Sequence, residues 1–386
     1  MRAVRFLILA AVIGALSGCA SQAPKPPAPE SWSMTRVSFD ALPGWDGAAL
    51  EAALQSFRRS CAVLAAKPDS AAMGGAGYAG TVADWRSVCA GASGGAKTFF
   101  QSNFTPFALT GGAGLFTGYY EPEIRGNRTR QGAYQTPVHG LPPDLVRVDI
   151  GQFIPKLKGE RVSGRVSGHA LVPYANRAQI NTASDAPVLF YTDDPVAFFF
   201  LQIQGSGRIV FDDGGSARIG YAGENGRPYT AIGRTLIAEG ALTRETVSLQ
   251  TIRAWLLANP ARARSVMEGN ESYIFFEEKP LGDTALGSTG SLGVALTPGA
   301  SLAVDPRIHA LGAPFYLDAG GPDPMRGLLV AQDIGGAIRG AVRGDIFFGF
   351  GAEAERRAGA MKAPGRLYLL LPNALAEKTG ASRSWP

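Results

Sequence analysis

Residues 332–351 read QDIGGAIRGAVRGDIFFGFG and set two carboxylates, Asp333 and Asp345, in a stretch made mostly of glycine, arginine and apolar residues. A carboxyl group held where water is scarce has its pKa raised, and a carboxyl that keeps its proton near neutral pH can serve as a general acid. The run Ile346, Phe347 and Phe348 predicts a strand with at least one buried face, so the aspartates would stand on a rigid platform. Gly335-Gly336 lets the backbone turn sharply or approach a partner closely. The same Asp before Gly-Gly also fits an ordinary turn residue that bonds its own backbone.

Two further stretches offer groups suited to sugars. In FTGYYEPEI, Tyr119 and Tyr120 end an aromatic strand and deliver Glu121 into a proline turn. A tyrosine presents an apolar face to a pyranose ring and a hydroxyl to its rim. In 191–209 the apolar run 196–201 reads as a buried strand, and alternation would set Gln202 and Gln204 on one face beside Ser206 and its flanking glycines. A β-turn closing a strand accounts for those glycines equally well. Metal chemistry is not suggested. The three histidines, His139, His169 and His309, keep no zinc-motif spacing to a cysteine, and we expect no metal and no cofactor.

The elements that must hold these groups are those of a turn-rich chain. Glycine occupies 50 of 386 positions and proline 26, which favours β architecture over a helical bundle. The net charge of +5 suits an anionic envelope polymer or membrane surface. No basic run or aromatic pattern points to nucleic acid. The clearest helix is 45–67, with Leu50, Leu54, Phe57, Cys61 and Leu64 on one stripe, Asp46 as its N-cap and Pro68 beyond its end. Shorter helices are expected at 82–89 and from 96, then at 229–239, 244–258 (stopped by Asn259-Pro260) and 352–361. Residues 270–276 and 366–371 read as strands.

The N-terminus reads as an address. Arg2 and Arg5 precede a short apolar run, and Leu16-Ser17-Gly18-Cys19 follows it, too soon for a membrane-spanning helix. The tetrapeptide resembles the bacterial lipobox, which makes 1–19 a signal peptide and Cys19 the lipidated first residue of the mature chain. Ala20 is not the aspartate associated with inner-membrane retention, so the resemblance points to the periplasmic face of an outer membrane. Residues 20–30 are proline-rich and would extend as a tether on the order of 30 Å. In that oxidising compartment Cys61 and Cys89, on neighbouring helices, are expected to pair, contributing about 3 kcal/mol by the chain-entropy estimate.

Several blocks in order carry a family resemblance. FTGYYEPEI with the following TP-x-x-G-x-P-x-DL pattern, YTDDPVAFFFLQIQGSGRI, RIGYAGENG and NESYIFF resemble the MltA family of lytic murein transglycosylases. The stretches 290–306 and 314–318, with 332–351, resemble the 3D domain, named for three aspartates that here would be Asp318, Asp333 and Asp345. The resemblance spans roughly residues 116–372. Three positions depart from the family's pattern, His139, Gln179 and Ala295, and none of them is one of these aspartates.

The family implies a mainly β fold with some α. A double-psi β-barrel domain with a helical N-terminal part (31–137 and 283–386) would be interrupted by a smaller inserted β-barrel domain (138–282), with a peptidoglycan glycan strand in the groove between them. Asp333 would be the catalytic acid, with Asp318 and Asp345 supporting it. Tyr119, Tyr120, Glu121, Gln202, Gln204 and Ser206 would contact substrate. The chain would act as a monomer held to its membrane by lipid. Two other readings stay open: a muramidase-like hydrolase on the same fold, and a glycan-binding lipoprotein without activity.

Overall fold

The computed structural model describes residues 31–157, 161–321, 323–335 and 338–385. The expected leader with Cys19 and the tether 20–30 lie outside the described residues, as do Gly336 and Ala337 of the glycine-rich stretch. No helix among the described residues is long and apolar enough to cross a membrane.

Six strands pair in a ring, in the order Pro314–Ala319, Met325–Ile334, Ser301–Val304, Arg343–Phe350, Leu115–Glu121 and Lys362–Pro372; the last pairs back on the first. Closure leaves the ring without an open edge, and a closed sheet can bury its interior completely. Phe315, Leu317, Leu329, Leu367, Leu369 and Leu371 all have zero exposure. Three strands, Phe104–Thr110, Trp32–Arg36 and Ser382–Trp385, extend outward from Lys362–Pro372, with Trp32 and Trp385 stacked at 4.0 Å.

Helices Glu51–Ala65, Ala83–Ala90 and Ala96–Asn103 cover this sheet. The expected stripe of the first helix is buried, and Phe57, at zero exposure, packs on Trp85, Phe99, Phe100 and Phe104. Truncating such a side chain costs about 3–5 kcal/mol. The helix begins at Glu51 rather than at Trp45. Trp45–Gly47 instead form one 3-10 turn that drives the indole, 3% exposed, against Tyr316. Cys61 and Cys89 are joined in a disulfide between the first two helices.

Residues between the ring's strands build a second six-stranded sheet, in the order Ile274–Lys279, Ser216–Glu224, Ser206–Phe211, Glu123–Asn127, Val188–Thr192, Thr136–His139. Its two outer strands approach at the Gly140–Phe276 bridge. The chain passes from the first sheet to the second at Pro122, since Glu123–Asn127 already pairs with Ser206–Phe211; this is ahead of the expected 138. A small three-stranded sheet, Val146–Asp149, Arg161–Ser167 and Ala170–Pro173, was not signalled by the sequence pattern.

The run 196–201 is not a strand. It lies in the helix Pro195–Gln204, whose start is set by Asp194, accepting from Val196 N and Ala197 N, and by Pro195 at its first position. Gly205 ends it at φ 81, a left-handed conformation that glycine adopts without Cβ strain. A fully apolar run carries no periodicity to tell a buried strand from a buried helix, so the capping residues decide. Pro260, read as a stop, also opens a further helix, Pro260–Glu268.

Candidate active site

Asp333 lies next to the end of the strand Met325–Ile334. That strand pairs in parallel with Ser301–Val304, with a register shift between Leu302 and Ala303 that brings Asp333 opposite Ala303. On its other side Ala303 is opposite Asp345 of Arg343–Phe350, and Asp345 is opposite Thr117 of Leu115–Glu121. One cross-strand row thus runs Asp333, Ala303, Asp345, Thr117. At the usual strand spacing the two aspartate backbones are about 9.6 Å apart, with the small Ala303 between them.

Asp333 is half-buried and its two oxygens are differently held. Oδ1 accepts from Ser291 N at 3.0 Å and from Ser291 Oγ at 2.7 Å. Oδ2 accepts from the Tyr119 hydroxyl at 3.1 Å. Tyr119 packs on Phe347 at 5.3 Å, and burial, reinforced by the neighbouring Asp333 charge, raises its pKa well above the ordinary phenol value. The phenol therefore keeps its proton and acts as a donor. The loop bearing Ser291 can lie this close because Gly290 has no side chain: a Cβ there would stand 2.7 Å from the Gln332 carbonyl oxygen.

Asp345 faces a different set. Thr117 Oγ1 donates to its Oδ1 at 2.6 Å, and Arg343 donates to Thr117 Oγ1 at 2.9 Å. Burial raises the Asp345 pKa and Asp333 adds to the rise, while Thr117 and Arg343 work against it. The two carboxylates feel one another, yet each has its own donors. Asp318 is not brought to this cluster. It pairs with Arg326 at 2.6 Å, and that pair sits seven positions from Asp333 along the same strand, about 23 Å at the usual rise.

The remaining expected contacts separate in the structure. Glu121 is 2% exposed and accepts from Arg208 Nε at 3.2 Å and Arg218 Nε at 2.9 Å. The same arginines donate to the carbonyls of Leu281, Thr284 and Leu286, so Glu121 locks the ring to the second sheet and to the segment returning from it. Gln202 is 1% exposed, accepts from Arg177 and donates to the Ile274 carbonyl, whereas Gln204 is exposed; helical geometry puts them on different faces. Ser206 is half-buried at the start of its strand. Tyr120 points away from Tyr119, with burial and the nearby Glu355 raising its pKa. His139 is buried against the Tyr273 hydroxyl at 2.8 Å, and burial lowers its pKa to about 4, so it is a neutral core residue.

Sequence reasoning missed Ser291, although its position directly after Gly290 in GSLG was a signal of close backbone approach. It also missed Arg208 and Arg218, whose signal was a charge inside an otherwise apolar strand pattern. A cavity of about 890 Å³ lies between the second sheet and the helices Pro195–Gln204, Leu249–Ala258 and Pro260–Glu268, lined by Arg125, Asp193, Arg253 and Leu257 among others. None of the three aspartates borders it.

The closed six-strand ring, joined through Glu121 to a second sheet and covered by helices, defines a mainly β protein with some α. Residues 115–277 match the MltA specific insert domain, and residues 300–371 match the 3D domain. Membrane-bound lytic murein transglycosylase A of Escherichia coli (strain K12) is 33% identical over 266 residues, covering 66% of this chain and 65% of that protein. MltA from Neisseria gonorrhoeae superposes with a TM-score of 0.76 at 33% identity, covering 89% of this chain and 91% of that one. E. coli MltA with bound chitohexaose superposes with a TM-score of 0.59 at 28% identity, covering 83% and 90%. This chain belongs to the MltA family.

Proposed function

We propose that this chain is a lytic murein transglycosylase, cleaving the β-1,4 bond between N-acetylmuramic acid and N-acetylglucosamine of peptidoglycan without water. The observation that carries the reading is the three-donor hold on Asp333 at the end of its strand: Ser291 donates twice to Oδ1 and the Tyr119 hydroxyl once to Oδ2, which fixes the orientation of the carboxyl. A proton on Oδ2 passes to the bridging oxygen as the muramoyl C1–O bond breaks, giving the free N-acetylglucosamine hydroxyl. The Asp333 carboxylate then takes the proton of the muramoyl C6 hydroxyl as its oxygen bonds to C1. Asp333 ends protonated, and the product is a 1,6-anhydromuramoyl end. The nucleophile belongs to the substrate and gains the advantage of proximity. Tyr119 steadies the carboxylate between the two steps, and the reading calls for no metal or cofactor.

Under this reading the ring is the double-psi barrel of the family and the second sheet its inserted barrel, with the glycan strand between them. A chitohexaose-like sugar chain, as in the E. coli relative, is the natural binding probe. Tyr120, Gln204 and Ser206 remain the proposed groove contacts. Asp345, with Thr117 and Arg343, supports Asp333 electrostatically. The lipobox resemblance and the name of the curated relatives, membrane-bound, support a lipid-anchored protein, and Ala20 after Cys19 favours the periplasmic face of an outer membrane; we propose that it acts there as a monomer.

A second reading has a specific observation in its favour. Inverting glycosidases hold two carboxyls about 6.5–9.5 Å apart, and the Asp333–Ala303–Asp345 row could offer such a pair to a water. That would make the chain a muramidase-like hydrolase. Turbidity of purified murein sacculi tests activity of either kind against a silent glycan binder. It should fall with the wild type and stay constant with Asp333→Asn; constant turbidity with both would leave a glycan-binding lipoprotein.

A further inference from the structure

Gln332, the residue before Asp333, has zero exposure, and its side-chain amide has every hydrogen-bonding position filled. Oε1 accepts from Ser56 Oγ at 2.8 Å and Ser301 Oγ at 2.6 Å, and Nε2 donates to the Ser56 carbonyl and to Ser60 Oγ, each at 2.8 Å. Ser56, Ser60 and Ser301 also have zero exposure. The Gln332 carbonyl accepts from Leu292 N at 3.0 Å, one residue beyond Ser291, and Ser301 Oγ accepts from Thr297 N at 2.7 Å. The helix Glu51–Ala65, the strand Ser301–Val304 and the loop 287–297 therefore meet on this one amide and its backbone.

A leucine at this position would be buried without the desolvation cost that an amide carries. What the amide adds is direction. Its four bonds admit one side-chain orientation, and successive residues of a strand point to opposite faces, so seating Gln332 on the core side fixes the height and rotation of Asp333 on the other. We propose that Gln332, seated by Ser56, Ser60 and Ser301, is a positioning residue for Asp333: it sets the approach of Ser291 to Oδ1 and thereby the aim of Oδ2. This rests on the reading of Asp333 as the proton donor. A displacement of about 1 Å at a reacting group can cost on the order of 100-fold in rate.

Gln332→Met alone leaves buried hydroxyls unpaired and tests stability as much as position. Combining Gln332→Met with Ser56→Ala, Ser60→Ala and Ser301→Ala replaces the four side chains by apolar groups of similar shape, which can be nearly neutral for stability, with Thr297 N the one backbone donor that loses its side-chain acceptor. The fourfold variant is expected to keep its melting temperature within about 4 °C. Its chitohexaose affinity and its KM on murein glycan chains should stay within about twofold, while kcat falls about 10- to 100-fold and the alkaline limb of its pH–rate profile, where the proton donor is lost, moves. Wild-type kcat and pH profile in a folded fourfold variant would overturn the proposal. Should that variant fail to fold, Ser301→Ala, which removes one donor to Oε1, is expected to lose several-fold in kcat at unchanged KM, and an unchanged kcat overturns the proposal equally. An inactive wild type, or an active Asp333→Asn, would instead overturn the reading beneath it.

Discussion

Asp333 and Asp345 stand opposite the same residue, Ala303, on the two flanks of the strand Ser301–Val304. Two acids this close in register have different jobs because they have different partners. Asp333→Asn is expected to lower kcat by about 10²–10⁴, the range of a lost general acid. Asp345→Asn keeps an acceptor for Thr117 and should cost at least tenfold less than Asp333→Asn. Steady-state rates on murein glycan chains separate them, and equal losses in two folded variants would point to a two-carboxylate mechanism.

The Asp345 carboxyl also predicts a pH dependence of stability. Burial raises its pKa in the folded protein, so between the unfolded value, about 3.9, and that raised value the native state binds more proton than the unfolded chain. The stability it contributes is present below the unfolded pKa and is lost as pH rises through the folded one. Asp345→Asn removes this loss. The melting temperature of the variant relative to wild type should climb from about pH 4 upward and then level off. A difference that is flat or falling with pH would contradict the assignment.

Glu121 sits between two guanidinium groups with almost no water, and removing its charge strands both. Glu121→Gln is expected to destabilise the protein by about 3–5 kcal/mol in urea unfolding. A change below about 0.5 kcal/mol, the scale of a surface substitution, would mean that the hub does not hold the two sheets together.

The two glutamines of one helix should behave oppositely. Gln202→Ala removes the acceptor of Arg177 Nη1, whose other nitrogens keep the Asn270 and Ser272 carbonyls, and the side-chain donor to the Ile274 carbonyl, and is expected to cost about 1–3 kcal/mol of stability. Gln204→Ala, at an exposed helix end, should leave stability within about 0.5 kcal/mol and weaken only chitohexaose binding. Thermal unfolding and sugar titration of the pair check both halves.

How much of this was legible in the sequence varies with distance along the chain. The strand carrying Ile346 and Phe347, and the stripe of Leu54, Phe57 and Leu64, follow from local periodicity, and the structure has both. The Tyr119 contact with Asp333 spans 214 positions and the Ser291 contact 42, so no local pattern could pair them. Glu121 looked like a groove residue because its arginine partners lie 87 and 97 positions away. The helix Pro195–Gln204 was misread for the opposite reason: its signals, Asp194, Pro195 and Gly205, were local, but the apolar run between them hid the period.

In the proposed reaction the new bond at muramoyl C1 is made by the sugar's own C6 oxygen and not by water. Digestion of purified murein in oxygen-18 water, followed by mass spectrometry of the released ends, measures this directly. The expected result is 1,6-anhydromuramoyl ends with no heavy oxygen, formed by the wild type and absent with Asp333→Asn. Reducing muramoyl ends carrying oxygen-18 would show hydrolysis and assign Asp345 to the activation of water instead.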